Sequence, residues 1–403
     1  MNQLYVFNPD HDLALAHGMT HYVSPASAVQ FATDAAVLPA WIFNDGYLLV
    51  NKGVTDSDFL SLCKKLNIRS RWVTNEGLSD ILREDNKIEV VPWGWNYTFR
   101  QKMADSGVDA ACLPTMQDLE NIRRFSHRRL TIAALQFLNR KNAANDYPLP
   151  LELTTIEAVD DFVKVHGDVV LKMPWSGSGR GLRRVVGEMT EHQRGWARQS
   201  IRKHGCVMGE IFRNVVQDFA MEFHCGAEVG FCGYSLFSTH NGVYQGNVLM
   251  SDDAIETHLA QFISPMQIAE TQHSLLQFLE AEVRPFYKGP VGVDMFVFQE
   301  DNQYRLYPCV EINLRMTMGL LANRFCRNYL ADGATGMMSI EYHATAGELY
   351  AEHLALNEKF PPVIADGKLV SGSITLSSVL PETCYTVQVT IDSPSHSPRT
   401  RRC

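Results

Sequence analysis

The chain lacks any run of roughly 18 uncharged apolar residues, the minimum for a helix that crosses a bilayer. Its first residues, MNQLYVFNPDHDLALA, place no basic stretch before an apolar one, so they do not read as a signal peptide. A soluble, cytoplasmic protein is the expectation. Positive charge is in short supply: 36 Lys and Arg face 45 Asp and Glu, a formal charge of −9, and no basic run precedes the last few residues. That argues against a general nucleic-acid binder, which needs clustered cations to meet phosphates. The nine cysteines are an odd number, and no two stand as C-x-x-C. A disulfide framework or a structural zinc site is therefore not expected, whereas small buried thiols are. No internal repeat and no low-complexity tract interrupts the sequence.

What is present is ordinary for a protein with a real core. Hydrophobic residues make up 45% and charged residues 20%, a balance that excludes wholesale disorder. At about 150 residues per domain the length corresponds to two or three domains. The run LYVF at 4–7 breaks at Asn8-Pro9 as a buried first strand would, and similar runs follow at 47–50 and 88–91. Between them, 56–66 places Phe59, Leu62, Cys63 and Leu66 on one helical face. Strands alternating with helices predict an open α/β sheet for residues 1–115, with a boundary at Leu113-Pro114-Thr115.

The next segment, 118–138, predicts a helix ended by NAANDYPLP, and Thr155 caps a second helix over 156–165. Val169-Val170-Leu171 then runs as a buried strand into KMPWSGSGRG. Strands of period two are expected at 215–225, 229–237, 291–298 and 304–312, an amphipathic helix at 265–283, and mostly helix over 319–356. Two strand-like runs close the chain, at 369–376 and 384–391, before a tail that reads as frayed. The division expected is 1–115, 116–335 and 336–403, the last a helix-and-strand addition.

Three groups of residues can do chemistry. Lys172 closes a buried strand ahead of Ser176-Gly177-Ser178-Gly179-Arg180-Gly181. A fixed ammonium followed by a glycine-rich turn can wrap phosphate oxygens, although the turn is neither a Walker A loop nor a Rossmann fingerprint. A flexible Gly/Ser hairpin is the plain alternative. In Val310-Glu311-Ile312-Asn313-Leu314-Arg315 the polar residues take every second position, which puts Glu311, Asn313 and Arg315 on one strand face. A carboxylate and an amide oxygen so placed suit a hard cation such as Mg²⁺, and an arginine one step on can meet a phosphoryl or carboxylate group. Asp294 stands alone in the apolar run GVDMFVF, with the polar turn QEDNQ between it and Glu311. A hairpin would bring the two acids side by side, and a shared cation would relieve their repulsion. A solvated face, or a buried Asp bonded to backbone amides, would account for each of these acids singly.

Taken in order, Lys172 with SGSGRG, Gly209-Glu210-Ile211, GVDMFVF and VEINLRMTMG resemble the ATP-grasp superfamily over residues 115–330. The resemblance implies that Lys172, Ser176, Ser178, Gly179, Arg180 and Gly181 hold ATP phosphates, and that Glu210 is the acid beside the adenine slot, flanked by Val207 and Ile211. It implies Asp294, Glu311 and Asn313 as Mg²⁺ ligands and Arg315 as the catalytic arginine. Arg128 or Arg129 resembles the basic position, usually Lys, that opens the nucleotide module. Asp218, Glu222 and His224 share a strand face where the family meets ribose and substrate, although a solvated face explains them equally.

Asn8-Pro9-Asp10-His11-Asp12 reads as a turn and helix cap rather than an acceptor site, and Pro92-Trp93-Gly94-Trp95-Asn96-Tyr97 as core packing rather than a stacking platform. The segment 240–247 reads as a hairpin turn near the site. The activity implied is that of a carboxylate–amine ligase using ATP and Mg²⁺ on small-molecule substrates, with no nucleic-acid or membrane partner. A grasp-fold kinase acting on a hydroxyl, or a non-catalytic ATP-binding regulatory protein, would use the same nucleotide residues.

Overall fold

The first apolar run forms the strand Gln3–Val6, and its neighbours are Tyr47–Leu49 on one side and Glu89–Pro92 on the other. With Arg71–Val73 these make a four-stranded sheet in which every pairing is parallel. The expected open α/β sheet is therefore present. The computed structural model describes residues 2–392 except Thr55, 85–86, 143–145, 178–180 and 241–242, and leaves aside the side chains of Glu84 and His240. The helix Ser57–Lys65 begins where Asp56 accepts hydrogen bonds from the Asp58 and Phe59 amides, and it buries Phe59 and Cys63 as its periodicity predicts.

The helix expected over 118–138 is two helices, Met116–Phe125 and Arg129–Lys141. Thr115 and Asp118 close a capping box at the start of the first, which ends at Ser126, so Ser126–Arg128 forms a corner. Apolar periodicity alone cannot reveal that corner, because buried residues continue on both sides of it. The strands Leu151–Leu153, Val207–Ile211, Asp168–Lys172 and Leu182–Val186 form a small antiparallel sheet, in that order. Helices Ile156–His166, capped by Thr155, and Glu191–His204 cover it over Val159, Phe162, Leu171 and Trp196.

The largest sheet has nine antiparallel strands, in the order 303–313, 289–300, 214–225, 229–240, 243–249, 336–342, 385–391, 368–375, 363–365. All four strands expected between 215 and 312 are in it. One face packs Phe219, Met221, Phe223, Val291 and Val293 against the helices Arg129–Lys141 and Pro265–Phe278. The stretch 319–356 departs from expectation. The helix Met318–Tyr329 gives way, after the positive-φ Gly333, to the strand Gly336–Tyr342 and then the helix Glu348–Lys359. That strand joins Val243–Leu249 to Tyr385–Ile391, so the C-terminal strands extend the large sheet. Five of the described cysteines are buried and three are half-buried, all as free thiols. Among the described residues no helix is long and apolar enough to cross a membrane.

Candidate functional site

The turn Asp301-Asn302 has φ of 50° and 60°, the signature of a two-residue hairpin loop whose twist matches its strands. From the turn the ladder runs in register to Phe296 opposite Tyr307, and an irregularity between Asp294 and Phe296 then shifts the pairing so that Asp294 lies directly opposite Glu311. Ile312 and Leu314 enter the core, which leaves Glu311, Asn313 and Arg315 on the opposite face as alternation requires. Asn313 Nδ2 donates to Asp294 Oδ2 at 3.1 Å. Burial, and then the adjacent Glu311, push the Asp294 carboxyl well above the usual range. Two adjoining acids, one of them half-buried and resisting ionisation, are a donor set that a hard divalent cation would fit.

Arg128 and Arg129 face different ways. The corner before the helix turns the Arg128 side chain inward, where Nε donates to Met173 O at 3.1 Å and Nη2 to Ser176 O at 3.1 Å. The same Nη2 pairs with Glu311 Oε1 at 2.9 Å. Arg129 points away, to Glu152 at 2.8 Å. Arg128 therefore ties the start of the glycine-rich turn to the acidic pair of the large sheet. At the neck of that turn the Met173 amide donates to Gly181 O at 2.8 Å, and a Cβ on Gly181 would clash with Ser176 Oγ. Ser178, Gly179 and Arg180 lie outside the described residues.

Lys172 ends its strand buried, with Nζ 2.6 Å from Glu210 Oε2 on the neighbouring strand. Glu210 also lines a cavity of about 250 Å³ whose walls come from both antiparallel sheets and a covering helix: Gly209, Ile211 and the helical Phe162 on one side, Phe296 and Tyr307 on the other. The last two rings stack 5.0 Å apart. Sequence reading missed these aromatics, because on each strand they look like ordinary core positions.

Arg315 is held by a residue from the other end of the chain. Its Nε donates to Asp12 Oδ1 at 3.0 Å and Oδ2 at 3.1 Å, and Nη2 meets Oδ2 at 3.0 Å. Asp12 was legible only as part of a turn; a partner 303 positions away leaves no local signal. Neighbouring Asp10 bonds Ser24 and gives no side-chain cap to the helix it precedes.

Glu222 corrects the idea of a solvated face. It is buried, and Thr317 Oγ1 donates to both its carboxylate oxygens at 3.0 Å. Burial, and then the Asp294 charge, push its carboxyl up to about 8. Asp218 is half-buried and His224 exposed. Trp93 packs edge-on against Phe7 at 4.9 Å, in line with core packing. Asn241 and Gly242, in the segment 240–247, lie outside the described residues.

His127, Glu152 and Cys206 bring ligand-type atoms within 4.8 Å of one another. The Arg129 amide donates to His127 Nδ1 at 3.0 Å, and burial lowers that imidazole to about 3. The ring is therefore neutral with its proton on Nε2, facing Cys206, and offers no lone pair to a metal there.

No protein-family model and no curated protein matches the sequence. Solved structures match over most of the chain. Biotin carboxylase from Campylobacter jejuni, as a β,γ-ATP complex, has a TM-score of 0.52 at 10% identity, over 97% of this chain and 87% of its own. The chain has the ATP-grasp fold. The biotin carboxylase domain of Hydrogenobacter thermophilus 2-oxoglutarate carboxylase, solved with MgADP, ADP and bicarbonate, matches at 12% identity with a TM-score of 0.50, over 86% of each chain. In this fold the cavity, the Lys172–Glu210 pair and the Asp294–Glu311 pair lie near one another between the two antiparallel sheets.

Proposed function

We propose that the protein is an ATP-dependent carboxylate–amine ligase that works through an acyl phosphate and releases ADP and orthophosphate. The observation that carries this reading is the bridge made by Arg128, which joins the glycine-rich turn at Met173 and Ser176 to Glu311. It brings the glycine-rich turn and the acid pair together, and Glu210, paired with Lys172, lines the neighbouring cavity. The aromatic cavity beside Glu210 takes the adenine. Lys172 and Arg128 neutralise phosphate oxygens as they exchange their present carboxylate partners for the nucleotide. Asp294, Glu311 and Asn313 would hold Mg²⁺, which when bound supplies further neutralisation of the phosphate charge.

A substrate carboxylate oxygen attacks the γ-phosphorus, the bond to the bridging oxygen breaks, and ADP leaves. The amine then attacks the acyl carbon, loses a proton, and expels phosphate to leave an amide. Arg315 meets charge developing on the transferred group, a role for a fixed cation rather than for a covalent nucleophile. The test is turnover with Mg-ATP over a panel of amino acids and small carboxylates. ADP and orthophosphate should appear in equal amounts, and hydroxylamine offered in place of the amine should yield a hydroxamate. A phosphorylated alcohol with no free phosphate would make the protein a kinase, and nucleotide binding without turnover on any substrate pair would make it a binding protein.

A further inference from the structure

The Asp12 carboxylate occupies the guanidinium on which the proposed chemistry depends. A guanidinium offers five N–H groups. Nε–H is spent on Asp12, one Nη2 hydrogen also goes to Asp12, the other goes to Asn313 Oδ1 at 3.1 Å, and one Nη1 hydrogen goes to Met316 O at 3.0 Å. Among the described residues that leaves one N–H. An incoming phosphoryl or carboxylate group needs two parallel N–H groups for a bidentate grip, and release of Asp12 frees such a pair on Nε and Nη2.

The other side of Asp12 is equally informative. A Cβ on Gly177 would clash with Asp12 Oδ2, so the backbone of the glycine-rich turn lies directly on this carboxylate. An anionic group thus sits between Arg315 and the phosphate-cradle backbone, where the terminal phosphoryl of a nucleotide must lie if both are to contact it. Burial alone would raise the Asp12 carboxyl, but Arg315 and then His11 outweigh it and keep it ionised. The pair is not sealed in: 27% of the Asp12 side chain and 16% of the Arg315 side chain remain exposed, so the carboxylate has a path to water.

We propose that Asp12 is an internal stand-in for the transferred phosphoryl group. In the ligand-free protein its carboxylate fills the anion position on Arg315, and a nucleotide with a γ-phosphate displaces it. Discrimination follows from this. A diphosphate does not reach the position and does not compete with Asp12, whereas a triphosphate must. The inference rests on the ATP reading above, and the experiment separates the two.

The experiment is calorimetric titration of wild type, Asp12→Asn, Asp12→Ser, Arg315→Ala and the Asp12→Asn/Arg315→Ala double variant. The probes are Mg²⁺ with β,γ-methylene-ATP and Mg²⁺ with ADP, with thermal unfolding to verify that each variant is folded. Both neutral Asp12 variants should bind the triphosphate analogue about tenfold more tightly than wild type, as expected when a competing state populated near 90% is removed. ADP affinity should change less than twofold. The gain should vanish in the double variant, which should match Arg315→Ala. Neutral variants that bind the analogue no better than wild type would overturn the stand-in and make Asp12 a tether, with the ATP reading intact. An Arg315→Ala variant that leaves analogue affinity unchanged would overturn it too. Failure of either nucleotide to bind wild type or any variant would overturn the ATP reading and this inference together.

Discussion

Lys172 and Glu210 meet at 2.6 Å with side chains only 6% and 11% exposed, so neither can be removed singly without stranding the other. Lys172→Ala should lower the stability of the ligand-free protein by about 3 kcal/mol, the usual cost of an uncompensated buried charge. It should also abolish the rise in melting temperature that Mg-ATP gives by mass action. Lys172→Met combined with Glu210→Leu should recover most of the stability and none of the ATP response. A double variant that regained the response would free Lys172 of its phosphate role. Glu222 makes a pH argument. Its carboxyl is raised from 4.5 to about 8, so the folded state binds its proton more tightly than the unfolded chain. The stability this contributes is fully present below pH 4.5 and is lost as pH rises through about 8. Glu222→Gln keeps the shape without titrating. Urea unfolding across that window should therefore show wild type losing stability relative to the variant as pH rises. A constant difference would mean Glu222 is ionised throughout.

At the scale of elements, Thr317 serves two masters. It caps the helix Met318–Tyr329 by accepting from the Leu320 amide, and it satisfies both oxygens of Glu222. Thr155 caps the helix Ile156–His166 and has no second duty among the described contacts. Thr155→Ala should cost about 1 kcal/mol, the worth of a cap. Thr317→Ala should cost that plus about 1–3 kcal/mol for a buried acceptor left unmet, with equal losses for the two variants in urea as the contrary result. The Thr155 cap was plain in the sequence, as was the hairpin that carries Asp294 and Glu311, because caps, turns and period-two alternation are local; the register shift that sets the two acids opposite each other was not. The strand Gly336–Tyr342 was not, since only its pairing with distant strands distinguishes GMMSIEY from more helix. The corner at Ser126–Arg128 was hidden for a related reason. Its inward arginine is explained by Glu311, far along the chain. Asp12 on Arg315 is the extreme case, a contact that nothing short of the folded molecule could announce.

Across the whole molecule, the ends of the chain share one core. Trp41 packs tilted against Phe325 and edge-on against Tyr329, with centroids 5.8 and 5.3 Å away, and its indole donates to Leu376 O at 2.8 Å. Val387, Val389 and Ile391 complete the same cluster. Trp41→Ala should therefore cost about 3–5 kcal/mol. It should also raise hydrogen exchange together in the strands Gln3–Val6 and Tyr385–Ile391, and a rise confined to one of them would mean the two segments unfold separately. The shared core has a further consequence during synthesis. Trp41 leaves the ribosome with no counterpart for its indole, and the strand that ends at Ile391 arrives on the order of 20–70 s later at ordinary elongation rates. Until Phe325 and Tyr329 and then this strand emerge, the nascent chain lacks the residues that cover Trp41 in the folded protein. The strand Tyr385–Ile391 is thus one of the elements that close the core around Trp41.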